Sequence, residues 1–307
     1  MGRRKKGRAV HGWIVLDKPA DMTSTQAVGA VRRLFDAQKA GHAGTLDPLA
    51  TGILPIALGE ATKTVPYAVD GEKAYRFTVR WGAETDTDDA EGRIVASRDA
   101  RPGRGAVEAL LPSFVGEILQ APPAFSAVKI DGNRAYDLAR AGETVELEPR
   151  PVQIDALTLV EMPDTATSVF EARCGKGTYV RALARDMGRA LGCLGHVTAL
   201  RRTRVGSFDE ARAVGLETLR GAAEREEPLE PFLLPVEAAL ADLAELSVGQ
   251  NDATRLLRGQ SVLIRGRDAP VLSGPAYATC KGHLIAVGQL EKGELRPTRV
   301  FNFSESG

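Results

Sequence analysis

The chain has 307 residues, 40 basic and 40 acidic, with 43% hydrophobic and 5% aromatic residues, a soluble globular composition whose core must rest on Val, Leu, Ile and Ala. No apolar run approaches the roughly 18 residues of a membrane span, and the basic start leads into an apolar stretch too short for a secretion signal. The three cysteines, Cys174, Cys193 and Cys280, are widely spaced without a Cys-x-x-Cys, which implies neither a disulfide framework nor a zinc site, and a cytoplasmic protein is expected.

In chain order, a basic tail over 1–10 precedes a short strand at 12–16 that ends in the Asp17-Lys18-Pro19 turn. Thr23 and Ser24 suit a helix N-cap, and Ala27, Val28, Val31, Leu34 and Phe35 follow at helical spacing. The glycine-rich 41–52 stretch reads as a loop, followed by a buried strand at 53–58. Tyr75, Phe77, Val79 and Trp81 alternate as in a half-buried strand. The acidic 84–91 run predicts a turn with a hairpin partner at 93–97, and 106–114 predicts a short helix.

Residues 121–128 lead into a strand, the Asp131-Gly132 turn and a helix around 134–140. Strands are predicted at 152–160, 168–174 and 197–205. A helix is predicted over 179–191, with Val180, Leu183, Ala184, Met187, Ala190 and Leu191 as its apolar stripe. Helical segments run to about 240, and a small β-rich unit follows from about 246, with strands at 262–265, 276–280, 284–290 and 296–303. Strands and helices mixed without a steady βαβ rhythm predict an α+β fold.

Charge is segregated along the chain. Residues 171–206 hold eight bases (Arg173, Lys176, Arg181, Arg185, Arg189, Arg201, Arg202, Arg204) against two acids, whereas 207–245 holds ten acids and three bases. Such a run predicts a basic face suited to nucleic acid, although a solvated helix face would give the same pattern.

Several chemistries are excluded by absence of their motifs: a phosphate-binding Gly-x-x-x-x-Gly-Lys-[Ser/Thr], a Gly-x-Ser-x-Gly elbow, and paired histidine ligands. What remains is one carboxylate, Asp47, in a glycine-dense loop where backbone can approach a ligand closely. By residue type alone, a helix cap or a turn aspartate is the favoured reading of Asp47.

The stretch Gly41-His42-Ala43-Gly44-Thr45-Leu46-Asp47-Pro48-Leu49-Ala50-Thr51-Gly52 closely resembles the catalytic-aspartate motif of the bacterial TruB family of tRNA pseudouridine synthases. Further blocks fall in the same order: residues 12–19, Gly59-Glu60-Ala61-Thr62-Lys63, Lys73-Ala74-Tyr75, residues 122–129, Gly175-Lys176-Gly177-Thr178-Tyr179-Val180-Arg181, and residues 200–206. The resemblance implies isomerisation of uridine 55 in the tRNA T-loop to pseudouridine, with no cofactor and no metal. It implies a pseudouridine synthase catalytic domain over 11–244, with a central mixed or antiparallel sheet flanked by helices. A thumb-like insertion at about 124–151 and a C-terminal PUA-like RNA-binding domain over 245–307 complete the expected layout.

By the same resemblance Asp47 is the catalytic carboxylate and Arg181 its partner, an arginine that could hold it ionised and oriented through bidentate contacts. Without the motif, Arg181 would read as a phosphate contact or a surface charge. Tyr75 would stack on the flipped base, Tyr179 and Leu200 would line the pocket, and His42 would meet the RNA beside it. Lys18 would add positive charge near the site. Lys129, Arg134, Arg140, Arg201, Arg202 and Arg204 would contact phosphates, with the acidic 207–245 stretch turned away. The expected partner is the T-arm of tRNA, bound by a monomer without an obligate protein partner. An RNA-binding protein or tRNA folding chaperone, and a synthase for another RNA, are the alternative readings.

Overall fold

A computed structural model describes residues 7–126, 128–130, 133–136, 147–264 and 273–303, with the backbone alone at 129, 130, 133 and 134. The first strand, β1 (Gly12–Lys18), is buried along nearly its whole length, because both of its faces are covered. Helix α1 (Ser24–Leu34) starts at Thr23, whose side chain accepts from the Gln26 amide while the Gln26 side chain accepts from the Thr23 amide. This capping box satisfies two of the donors a helix start leaves free. A short β2 (Ala40–His42) and the long β3 (Thr51–Leu58) bracket the glycine-rich loop.

Strand β4 (Lys73–Trp81) follows α2 (Val65–Asp70), and the hairpin β5 (Ala83–Thr85) with β6 (Ile94–Ser97) encloses the acidic turn. Helix α3 (Arg104–Leu110) precedes β7 (Gly116–Gln120), and β8 (Lys129–Ile130) pairs with β9 (Asn133–Arg134). The long hairpin β10 (Arg150–Asp164) and β11 (Thr167–Cys174) leads to α4 (Val180–Ala190) and β12 (Gly195–Val205). Two short strands, β13 (Phe208–Asp209) and β14 (Val214–Gly215), and α5 (Leu216–Glu224) follow.

One ten-stranded sheet runs β14-β1-β3-β12-β4-β11-β10-β7, with β2 beside β3 and β13 beside β12. Only β1 with β14 and β3 with β12 pair in parallel; the other pairings are antiparallel. The alternation of side chains along β1 and β3 divides the core. Ile14, Leu16, Leu54 and Ile56 pack with Ala27, Val31, Leu183 and Met187 from α1 and α4. Trp13, Val15, Ile53 and Ala57 face the other way, onto Phe208, Leu240 and the C-terminal sheet. That second sheet runs β15 (Ala244–Ser247), β17 (Gly274–Cys280), β18 (His283–Glu291), β19 (Glu294–Val300) and β16 (Val262–Leu263), and it is crossed by α6 (Gln250–Leu257).

The α+β architecture with a C-terminal β-rich unit agrees with the sequence expectation. Strands β7 and β15 and helix α6 were not expected. The 131–132 turn, most of the helix expected around 134–140, and Arg140, Arg265 and residues 1–6 lie outside the described residues, as does much of the 124–151 insertion.

Candidate active site

The glycine-rich loop between β2 and β3 is pinned at both ends. The Ser24 hydroxyl, buried at the start of α1, accepts from the Leu46 amide at 2.8 Å and donates to the Leu46 carbonyl at 3.0 Å. One residue later, Asp47 turns its carboxylate into a cavity of about 920 Å³. The Ala50 amide donates to the Asp47 carbonyl at 3.1 Å, closing the bend.

Across the cavity, α4 begins at Tyr179 and delivers Arg181 from its first turn. Arg181 Nε donates to Asp47 Oδ2 at 2.9 Å, with Arg181 5% exposed and Asp47 32% exposed at the side chain. Its Nη1 and Nη2 donate to the Thr87 and Phe125 carbonyls at 2.8 and 3.0 Å. The pair is therefore single-contact, not the bidentate one expected, because the other donors are taken by backbone. The same Nε lies 3.5 Å from Asp89 Oδ2, a carboxylate buried in the acidic turn. Burial pushes the Asp89 carboxyl above its ordinary range, opposed by the Thr87 hydroxyl and by Arg181.

Tyr75 shares a face of β4 with Lys73, Phe77, Val79 and Trp81 and lines the same cavity as Asp47. Burial raises its phenol pKa, opposed first by the charge of Arg202, the residue paired with it across β4 and β12. Tyr179 is held by Gln120, which accepts from its amide at 2.8 Å and donates to its carbonyl at 3.2 Å. Tyr179, Leu200 and His42 all line the cavity. Burial lowers the His42 pKa below 6.5, and the charge of Arg202 lowers it further.

Lys18 adds its charge near the site from within the fold, acting on Asp47, whereas the phosphate contact expected of Arg202 needs correction. Lys18 is fully buried, and its Nζ donates to the carbonyls of Pro19, Met22 and Pro48 at 2.7, 2.7 and 3.2 Å. It ties the β1 turn to the residue after Asp47 and presents no charge to solvent; burial drops its pKa to about 8. Arg202 is 2% exposed and cannot meet a phosphate. Its Nε, Nη1 and Nη2 donate to the carbonyls of Ile53, Thr45 and Gly44 at 2.8, 3.2 and 3.1 Å.

Arg185 is buried as well, and several exposed bases of the 171–206 run pair with acids of the same chain. Arg185 meets Asp88, Arg189 meets Glu84, Lys176 meets Asp70, and Arg201 grips both oxygens of Asp17 and also Glu210. A uniformly free basic face is not what this run forms. The Lys129 side chain and Arg140 lie outside the described residues.

Sequence reasoning missed Asp89, Ser24, Gln120 and the buried Lys73, whose Nζ donates to the Val69 and Gly71 carbonyls. The acidic turn carried the signal for Asp89, since a run of carboxylates is tolerated inside only beside cations. Among the described residues no group of three or more His, Cys, Asp or Glu could hold a metal ion, and no described helix is long and apolar enough to cross a membrane.

Known proteins resemble this chain over most of its length. The N-terminal domain model of the TruB family pseudouridylate synthases matches residues 32–180, and the C-terminal domain model of tRNA pseudouridylate synthase B matches 181–241. The chain is 62% identical over 305 residues to a tRNA pseudouridine synthase B of Nitrobacter winogradskyi, covering 98% of this chain and 85% of the relative. A tRNA pseudouridine synthase B of Rhodopseudomonas palustris is also 62% identical, with 98% and 83% covered. An H/ACA RNP bound to a substrate RNA containing 2′-deoxyuridine has the same fold, with a TM-score of 0.73 at 21% identity over 98% of this chain and 92% of that one. The chain belongs to the TruB family of pseudouridylate synthases.

Proposed function

We propose that this protein isomerises uridine 55 in the T-loop of tRNA to pseudouridine. The observation that carries the reading is the Asp47–Arg181 pair, 2.9 Å apart on the wall of a cavity that Tyr75 also lines. At about 920 Å³ the cavity lies within the range of about 300–1,000 Å³ usual for bound small molecules. It has room for one nucleotide extruded from an RNA fold.

The reaction breaks N1–C1′, turns the base, joins C5 to C1′ and passes the C5 proton to N1 by way of solvent or a side chain. Asp47 acts at the sugar, either as nucleophile on C1′ or as base toward the 2′ proton. Arg181 fixes the carboxylate, and Tyr75 supplies the flat surface for the base. Residues 11–244 form the catalytic domain, and the C-terminal β-rich unit serves as a PUA-like RNA-binding domain. The T-arm is held by surface cations, with the protein acting as a monomer in the cytoplasm.

The test is pseudouridine mapping in tRNA transcripts incubated with the purified protein. The wild-type chain is expected to modify position 55. Asp47→Asn is expected to abolish modification while tRNA binding stays within a few-fold. Modification elsewhere overturns the substrate, and persistence in Asp47→Asn overturns the role of that carboxylate.

A further inference from the structure

We propose that Arg202 is a positioning residue, a buried guanidinium that locks both arms of the Asp47 loop onto β12; the inference rests on the reaction proposed above. A lone buried cation is strongly unfavourable unless its donors are satisfied. Arg202 meets that condition with one set of acceptors, all of them beside the site: the Gly44 and Thr45 carbonyls before Asp47 and the Ile53 carbonyl after it. The two arms of the loop that carries the carboxylate are thus tied to β12 through a single planar group. Tyr75 and Arg202 are also direct partners across β4 and β12.

Two glycines of the loop motif fit the same account. Gly52 has φ +96°, and a side-chain carbon there would stand 2.2 Å from the Arg202 carbonyl oxygen, where β3 and β12 pair. Gly44 has φ +89°, a left-handed conformation in which its carbonyl accepts from Nη2. Glycine at these two positions lets the loop close around the guanidinium. Lysine cannot replace the fork, since an ammonium holds its donors on one nitrogen and not on three nitrogens spread in a plane.

The experiment compares Arg202→Lys with wild type on a T-arm stem-loop RNA. Single-turnover pseudouridine formation is measured in each, and Kd is measured in an Asp47→Asn background so that no turnover intervenes. The expected result is a rate loss of about a hundredfold, the effect of misplacing a reacting group by about 1 Å. The Kd should stay within about twofold and its salt dependence unchanged. A rate within about threefold of wild type overturns the proposal. So does a weakened Kd whose salt slope drops by about one, the mark of a lost phosphate contact. Wild type making no pseudouridine would instead overturn the reaction assigned above.

A second measurement needs no folded variant at position 202 and no turnover. In arginine-labelled wild-type protein the Arg202 guanidinium protons should exchange slowly with solvent, both free and with the stem-loop bound. Loss of protection on adding RNA would show the side chain leaving the loop and would overturn the proposal.

Discussion

Arg181 can aim Asp47 because Arg181 itself has little freedom. Its donors reach three different segments, the Asp47 loop, the Thr87 turn and the Phe125 carbonyl, so rotation would break all three contacts at once. The Asp89 carboxylate, on the same Nε at 3.5 Å, neutralises part of that charge from below. His42, on the rim of the site, responds first to burial and then to the charge of Arg202. Burial and the Arg202 charge lower its pKa, so the folded protein takes up that proton less readily than the unfolded chain does. Between the folded value and 6.5 the unfolded state holds more protons, so stability rises with pH and falls as pH drops through that window. Lowering the pH from about 7 to about 5 should therefore reduce the melting temperature less in His42→Gln than in wild type. A histidine proton-resonance titration of His42 with its midpoint above 6.5 would contradict this.

At the scale of the element, α4 was readable as a helix but not as the carrier of buried charge. Its apolar stripe follows from spacing, and Leu183, Ala184 and Met187 are buried as expected. Arg181 and Arg185, four residues apart, share a face that a periodic reading assigns to solvent. They enter the interior because the turn at 84–89 lies against them, and sequence spacing cannot place a partner nearly a hundred residues away. Strand β7 was missed for a related reason: Glu117 and Leu119 are both exposed on an edge strand, so no hydrophobic alternation marks it. Arg185 donates to Asp88 at 2.9 Å and to the Ala121 carbonyl at 2.7 Å, and burial has already pushed the Asp88 carboxyl up to about 6. Arg185→Met should cost about 3–5 kcal/mol, the usual penalty for stripping a buried charge of its partner. Adding Asp88→Asn should recover most of the loss. The check is the denaturant midpoint at constant m, and a loss below about 1 kcal/mol in Arg185→Met would show the pair to be dispensable.

For the whole molecule, the charge run pointed toward nucleic acid for a reason that holds only in part, since Arg181, Arg185 and Arg202 are buried while Arg173, Lys176, Arg189 and Arg204 stay exposed. The glycine-rich loop was the more readable feature, because its conformational demands are local and Asp47, Arg181, Tyr75, Tyr179, Leu200 and His42 all reach one cavity. How the C-terminal unit sits was not readable, because its docking face is built from scattered apolar residues. Leu284, Val287 and Phe301 join Trp13, Ile53 and Phe208 in one cluster. At the rim of that contact Lys63 Nζ donates to the Val300 carbonyl at 2.9 Å, and the Asn302 amide donates to Glu60 at 2.8 Å. An interface continuous with the core beneath β1 and β3 couples the two units in unfolding, unlike the polar contact of domains that move independently. Calorimetry of the full chain should therefore show one cooperative transition. Phe301→Ala should lower it as a whole by about 3–5 kcal/mol, the usual loss for deleting a buried phenyl ring. Two separated transitions in the wild-type protein would mean that the units fold independently and that this cluster adds little to their coupling.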